Sequence, residues 1–343
     1  MKLERDPQDP AAWDAFAAAH PQATFAHAAA FEEVLRRAYG LRVHRLGVRD
    51  DAGRPAGILP LVPFRGLGGR RELVSMPFLD TGGIAAGPDA APLLLAGALE
   101  LARELGARAL ELRHLLPVEG VGVSSGVDRV DLELELEHDA EAQWRRVGAK
   151  VRNQTRKAQK SGLELAPDSW DLPGAFYGPY AVNMRDLGSP PHALAFFRAL
   201  ADAFGTAVRF VVARDGGRSV GGLVAIHFGD TVTVPWASTL RSERARCPNN
   251  LIYWEALRWA ISRGARRFDF GRSPPGSGSF RFKRGWGAEP RPLAWARLDP
   301  SGRVLPWRST RGGAGQRLAA LWSRLPVPVA TALGSRLRRR IAS

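Results

Sequence analysis

Lys283 lies in the run FDFGRSPPGSGSFRFKRGWG (residues 268–287), close in sequence to Arg272, Ser273, Phe282 and Trp286. When an amine attacks an acyl group, the carbonyl oxygen becomes an oxyanion that needs a cation or hydrogen-bond donors nearby. Lys283 suits that role, supported by Arg272 and Ser273. Phe282 and Trp286 could wall the reacting atoms from water, or they could anchor a core. Asp269, on the strand before the loop, is either a proton relay or a strand-end hydrogen-bonder. An acceptor amine is protonated at neutral pH, so the chemistry also needs a proton acceptor. Asp80, in MPFLDTGG (residues 76–83), could serve, or it could cap its own turn.

The elements that must carry these groups follow from periodicity. Phe31, Val34, Leu35 and Ala38 share one helical face. Leu41–Val48 and Ala56–Phe64 read as strands around the Asp51–Pro55 turn. Ala91–Leu105 reads as a helix stopped by Gly106, and Ala109–Leu112 as a strand. Val130–Glu137 alternates strictly, which predicts leucines on a core and carboxylates in water. A basic helix is expected over Ala140–Lys160. In the second half, helices are expected over Leu172–Arg185, Ala193–Phe204 and Asn249–Ser262. Strands are expected over Val208–Ala213, Val220–Phe228, Val232–Ala237 and Arg267–Phe270. Two β/α halves of this kind predict an α/β (α+β) architecture with mixed sheets flanked by helices.

Three further segments carry binding chemistry. From Arg145 to Lys160 there are seven cations, and Arg152, Arg156 and Lys160 fall on one helical face. Like charges at that spacing repel, so a nucleotide diphosphate, a tRNA backbone or a lipid phosphate would relieve a cost. A solvated linker helix is the other reading. Asn153 adds an amide and Lys157 a further cation. In VNMRDLGSPPH (residues 182–192), Arg185 could hold a phosphate or carboxylate bidentately, with Asn183 beside it. Asp186 could instead lock Arg185 as an internal ion pair.

Taken in order, these segments resemble the signatures of FemAB-like N-acyltransferases, which are built from two domains of the GNAT type. MPFLDTGG is similar to the family's glycine-containing loop. KVRNQTRKAQKSGL (residues 150–163) resembles its basic helix. VNMRDLGSPPH resembles a turn of the branch found with exosortase/PEP-CTERM gene clusters, and residues 268–287 resemble the C-terminal signature. WAS (residues 236–238) and PNNLIYWEAL (residues 248–257) fit as well. The resemblance runs from about residue 25 to the C-terminus.

It implies two tandem GNAT-like domains, residues 1–160 and 161–300, followed by a basic amphipathic tail, residues 301–343. It implies direct acyl or aminoacyl transfer in a cleft between the domains, with Lys283 near the transferred group and Asp80 and Asp269 as further catalytic candidates. Arg152, Asn153, Lys157, Asn183, Arg185, Trp236, Ser238, Arg272, Ser273, Phe282 and Trp286 are the expected substrate-binding positions. The donor would be acyl-CoA or aminoacyl-tRNA, with no tightly bound cofactor. The acceptor would be an anionic small molecule or lipid-linked precursor of peptidoglycan or exopolysaccharide. RSVGGLVA (residues 218–225) only loosely matches the pyrophosphate motif of GNAT proteins. The rival reading is a non-catalytic protein that binds anionic glycolipid or nucleic acid through the same basic surfaces.

Composition bounds these readings. The chain has 343 residues, 45% of them hydrophobic, and a formal net charge of +15 dominated by arginine. That length suits two domains, and that charge suits anionic partners or a high-GC genome that favours Arg. The single cysteine, Cys247, excludes an internal disulfide and fits a reducing compartment. No signal peptide or membrane span is evident, so a cytoplasmic protein is expected, either free or peripheral at the inner face of the plasma membrane. His27, His44, His114, His138, His192 and His227 lack metal-ligand spacing, and no P-loop or nucleophile elbow is present. After Asp299 there is no acid, but there are nine arginines. Leu318, Leu321, Trp322 and Leu325 form one apolar stripe, and Val329, Leu333, Leu337 and Ile341 form another after the Pro326–Pro328 break. Such stripes suit either an anionic membrane surface or packing on the body.

Overall fold

In a computed structural model, residues 1–66, 68–307 and 313–341 are described. The chain begins β1 (Lys2–Arg5), α1 (Pro10–Ala19), α2 (Ala29–Tyr39), β2 (His44–Arg49), β3 (Pro55–Arg65), β4 (Arg71–Val74), β5 (Ala85–Ala86), α3 (Ala91–Glu104) and β6 (Leu110–His114). It continues β7 (Val130–Glu135), α4 (Ala140–Arg146), α5 (Ala149–Lys160), β8 (Glu164–Leu165), α6 (Leu172–Asp186), α7 (Leu194–Phe204), β9 (Val208–Asp215), β10 (Arg218–Phe228) and β11 (Thr231–Thr239). Then follow α8 (Pro248–Ser262), β12 (Arg267–Asp269), α9 (Gly278–Gly285), β13 (Glu289–Pro292), β14 (Ala294–Leu298), α10 (Gly313–Trp322) and α11 (Val327–Arg338).

The chain folds into two compact units. The first comprises Met1–Asp128, Pro292–Ser309 and Leu337–Ser343, and the second Arg129–Arg291 and Thr310–Arg336. Each unit is built on a seven-stranded mixed sheet flanked by helices, as the periodicity predicts. The first sheet runs β1-β2-β3-β4-β6-β14, with β5 paired to β3. Its one parallel pairing is β4 with β6. The second runs β13-β7-β12-β11-β10-β9-β8, with β11 parallel to β12.

These pairings move the expected boundary. β7 is hydrogen-bonded within the second sheet, beside β12, so β7 and the basic helices after it belong to the second unit rather than to a domain ending at residue 160. β14 pairs with β6, which returns Pro292–Ser309 to the first unit.

Apolar burial holds each sheet to its helices. In the first unit, Leu94, Ala98 and Leu101 of α3 pack with Leu46, Leu59, Leu73 and Leu110 of the strands. In the second, α8 buries Leu251, Ile252, Tyr253, Ala256, Leu257 and Ala260, and Leu132, Leu134, Phe268 and Phe270 meet them from β7, β12 and the residue after it. On the other face of this sheet, Phe176, Tyr180, Phe196 and Phe197 of α6 and α7 pack ring to edge with Phe210 and Trp236.

The first unit also buries two imidazoles. His27 is fixed in one tautomer: its Nδ1 accepts from Thr24 N–H at 3.1 Å and its Nε2–H donates to Gly83 O at 2.8 Å. His114 Nδ1 lies 3.2 Å from Ala294 O. Burial pushes both rings down from the usual 6.5 to about 4. With the folded values below the unfolded one, the unfolded chain binds more protons between pH 4 and 6.5, so stability falls as pH is lowered through that window. The expected loss between pH 7.5 and 5 is about 2 kcal/mol per ring, above the range where carboxylates titrate. Urea unfolding at the two pH values checks it. An unchanged midpoint would show that the rings are solvated.

Candidate functional site

Residues 268–287 form a strand, a loop and a helix. β12 supplies Phe268 and Asp269, and Ser277 caps α9 by accepting from Phe280 N–H. Lys283, on α9, is only 8% exposed. Its ammonium donates to the carbonyls of Gly271 (2.7 Å) and Arg272 (3.0 Å), which ties α9 to the loop after β12. A buried ammonium is stable only with such partners. Ser273 pairs by backbone with Val130, its hydroxyl is buried, and Oγ has no hydrogen-bond partner among the described residues. Arg272 is half-buried. The Lys283 ammonium is therefore held against the backbone of the loop that carries Arg272 and Ser273.

Phe282 packs edge-on to Tyr253 (5.2 Å between centroids) and near Trp286 (6.2 Å). Trp286 is 1% exposed and belongs to the core of the second unit, so it is a core anchor. Asp269 accepts from Gly271 N–H at 2.6 Å, the strand-end bond expected of an acid at that position. The sequence gives no signal for Tyr253, which reads as one more apolar position of α8. It stacks on Phe270 at 5.4 Å, and burial, with the charge of Asp269, raises its phenol.

The acids of β7 depart from expectation. Asp131 and Glu133 are buried, not in water. The alternation is real, but β7 has neighbours on both sides and its polar face is covered. Glu133 lies opposite Asp269 in the register and pairs with Arg291 at 2.6 Å. Burial raises its carboxyl, while Arg291 and Arg267 oppose the shift and Asp269 adds to it.

The basic segment is two helices rather than one. α4 ends at Arg146, and Val147 and Gly148 take extended conformations before α5. Arg152 donates to the carbonyls of Arg145 (3.1 Å) and Val147, so it closes the end of α4. Arg145 and Arg146 pair with Glu141 and Glu137. Arg156 lies 5.6 Å from the Trp144 ring centroid. Asn153, Lys150, Lys157 and Lys160 are exposed. Among the described residues the three lysines have no acid partner, so an anion would meet them rather than Arg152.

The 182–192 segment is a seat. Arg185 pairs with Asp186 at 2.7 Å and donates to Leu325 O at 3.1 Å, so the internal ion pair is the one formed. A Cβ on Gly188 would lie 2.5 Å from Ala319 O, and one on Gly334 would lie 2.3 Å from Pro191. The two glycines let α10 and α11 pack against this turn. Asn183 donates to Ser238 Oγ at 3.1 Å, which joins two of the expected binding positions. Trp236, 8% exposed, is part of the aromatic core instead.

Asp80 belongs to the first unit, whereas Lys283 belongs to the second. Its loop is strained: Met76 and Phe78 have φ of 49° and 76°, a region that non-glycine residues rarely occupy. The loop is held by Gly82 and Gly83 N–H bonds to Arg113 O, by Arg113 donating to Leu79 O, and by Trp295 Nε1–H donating to Asp80 O. Among the described residues no His/Cys/Asp/Glu group could hold a metal ion.

Residues 145–284 match the family described as an acetyltransferase (GNAT) domain. No curated protein matches the sequence. The fold is similar to that of FemX (14% identity, 94% of this chain and 100% of that one, TM-score 0.67). It is also similar to a tandem GNAT protein from the clavulanic acid biosynthesis pathway (16%, 87% and 99%, 0.54). A third likeness is to the C-terminal domain of a putative lysylphosphatidylglycerol synthetase from Agrobacterium fabrum (14%, 91% and 96%, 0.50). The chain therefore has a tandem GNAT-type fold, and its residues 145–284 match the GNAT domain model.

Proposed function

We propose that the protein is an N-acyltransferase. It moves an acyl or aminoacyl group from acyl-CoA or aminoacyl-tRNA to an amine of an anionic cell-envelope precursor, with an exopolysaccharide sugar favoured over a peptidoglycan bridge. The observation that carries this reading is the loop after β12 inside the segment that matches the GNAT domain model, where the buried Lys283 ammonium is held on the carbonyls of Gly271 and Arg272, next in sequence to Ser273 with its buried, unsatisfied hydroxyl. The amine nitrogen attacks the donor carbonyl, the C–N bond forms, and negative charge gathers on the carbonyl oxygen. Lys283 and Ser273 offset that charge. The C–S or C–O bond to the donor then breaks, and the amine's proton passes to a carboxylate. Asp269, within the same unit as Lys283, is the proposed acceptor. Lys157, Lys150 and Lys160, with Asn153, meet the phosphates of donor or acceptor.

Direct transfer suits this chain better than a covalent acyl-enzyme. Cys247, its one cysteine, has no base among its described partners. The branch resemblance favours the exopolysaccharide acceptor, and the fold likeness to FemX and to a lysylphosphatidylglycerol synthetase domain agrees with envelope precursors in general. Incubation of the protein with labelled acetyl-CoA and, separately, labelled aminoacyl-tRNA, each with an amino-sugar precursor extract, tests it. Label is expected in the precursor from one donor. Label in neither would contradict the reading.

A further inference from the structure

The two tail helices expose several of their large apolar residues. On α10, Leu318 is 67% exposed and Leu321 62%, and on α11, Val329 and Leu333 are also exposed. Their small residues face inward: Ala319 and Gly334 meet the 187–191 turn, and Ala330 is buried. Leu187, at the end of α6 beside that turn, is 63% exposed. The helices are thus seated on the turn by glycine and alanine while Leu318, Leu321, Val329 and Leu333 stay exposed, the reverse of an ordinary amphipathic helix on a domain surface. Exposed Arg317, Arg324 and Arg336 accompany the leucines, and among the described residues none of the three forms an ion pair. Residues 300–343 contain no acid. Arg308 and Arg311, two of the nine tail arginines, lie outside the described residues.

We propose that the outward face of α10 and α11 is a peripheral docking surface for a bilayer rich in anionic lipid. Leucine side chains would enter the headgroup–acyl boundary, and the arginine stems would lie along it with their guanidinium groups on lipid phosphates. The helices have 10 and 12 residues, about 15 and 18 Å, too short to span a hydrocarbon core of about 30 Å. Among the described residues no helix is long and apolar enough to cross a membrane. The Pro326–Pro328 break keeps the pair as two short rods. A second copy of the chain fits less well, because two faces bearing arginines and no acids repel. A polynucleotide fits less well too, because it is met by stacking aromatics between the cations rather than by isolated leucines. The proposal is independent of the transferase reading.

Sedimentation with vesicles tests it. The protein is expected to pellet with phosphatidylcholine–phosphatidylglycerol vesicles, to stay in solution with pure phosphatidylcholine, and to be released by salt. Arg317→Gln/Arg324→Gln/Arg336→Gln should weaken partitioning about a hundredfold, at about fivefold per arginine. Leu318→Asp/Leu321→Asp should weaken it at least about tenfold, and both sets of positions are exposed, so the fold should survive. Failure to pellet with the anionic vesicles would overturn the proposal, as would equal partitioning by wild type and both variants. A concentration-dependent dimer abolished by Leu318→Asp/Leu321→Asp, or binding of tRNA in place of vesicles, would also overturn it.

Discussion

Lys283→Met should slow transfer about a hundredfold to a thousandfold while leaving a folded protein that still binds its donor. The variant keeps the length of the side chain and removes the charge, so the oxyanion loses its cation. Loss of one well-placed oxyanion partner costs about a hundredfold to a thousandfold in rate. The same substitution leaves the carbonyls of Gly271 and Arg272 without this donor. A stability loss of about 2–4 kcal/mol is expected from those two charge-assisted bonds, so activity is read well below the unfolding midpoint. A folded Lys283→Met protein with unchanged turnover would remove Lys283 from the chemistry and leave it a loop anchor. Lys283→Arg is the companion variant. It retains a cation, but the planar guanidinium cannot reproduce the ammonium's bonds in a buried pocket, so partial rescue of stability without full rescue of rate is expected.

Trp286→Ala should cost the second unit about 3–5 kcal/mol, the range for emptying a fully buried large aromatic site. The indole is 1% exposed and packs beside Phe282 within the core that includes Val151 of α5 and Leu134 of β7. Trp286→Phe provides the contrast. Nε1 is buried without a hydrogen-bond partner among the described residues, so the phenyl ring loses volume but removes an unsatisfied donor. That substitution should cost less than about 1.5 kcal/mol. Denaturant midpoints for the two variants decide it. Equal losses would mean that the N–H group, not the ring's volume, stabilises the site.

Period alone revealed β7, but not its surroundings. The leucines of DLELELE face the core, whereas Asp131 and Glu133 are buried because β12 and β13 flank the strand and Arg291 and Arg267 supply countercharge from residues far along the chain. No local pattern encodes that. The same limit explains Arg185. Its role is fixed by the Leu325 carbonyl, 140 residues away, and the glycines that admit α10 and α11 look locally like ordinary turn residues. The basic segment was legible as charge but not as two helices. Gly148 is a weak breaker by itself, and it is Arg152, folding back onto the end of α4, that completes the break. By contrast, the strand and loop of residues 268–287 were legible, although the helix α9 after them was not. Asp269 accepts from Gly271 N–H, Lys283 donates to Gly271 O and Ser277 accepts from Phe280 N–H, all within a dozen or so residues, and local bonds leave local signatures. The unit boundary was not, because it depends on which strands pair: β7 with β12, and β14 with β6.

The most direct measurement is the mass of the acceptor after incubation with protein and donor. A gain equal to one acyl or aminoacyl group, stable to neutral hydroxylamine as an amide is and an ester is not, is the predicted result. An acceptor of unchanged mass, or one whose added group hydroxylamine removes, would contradict N-acyl transfer.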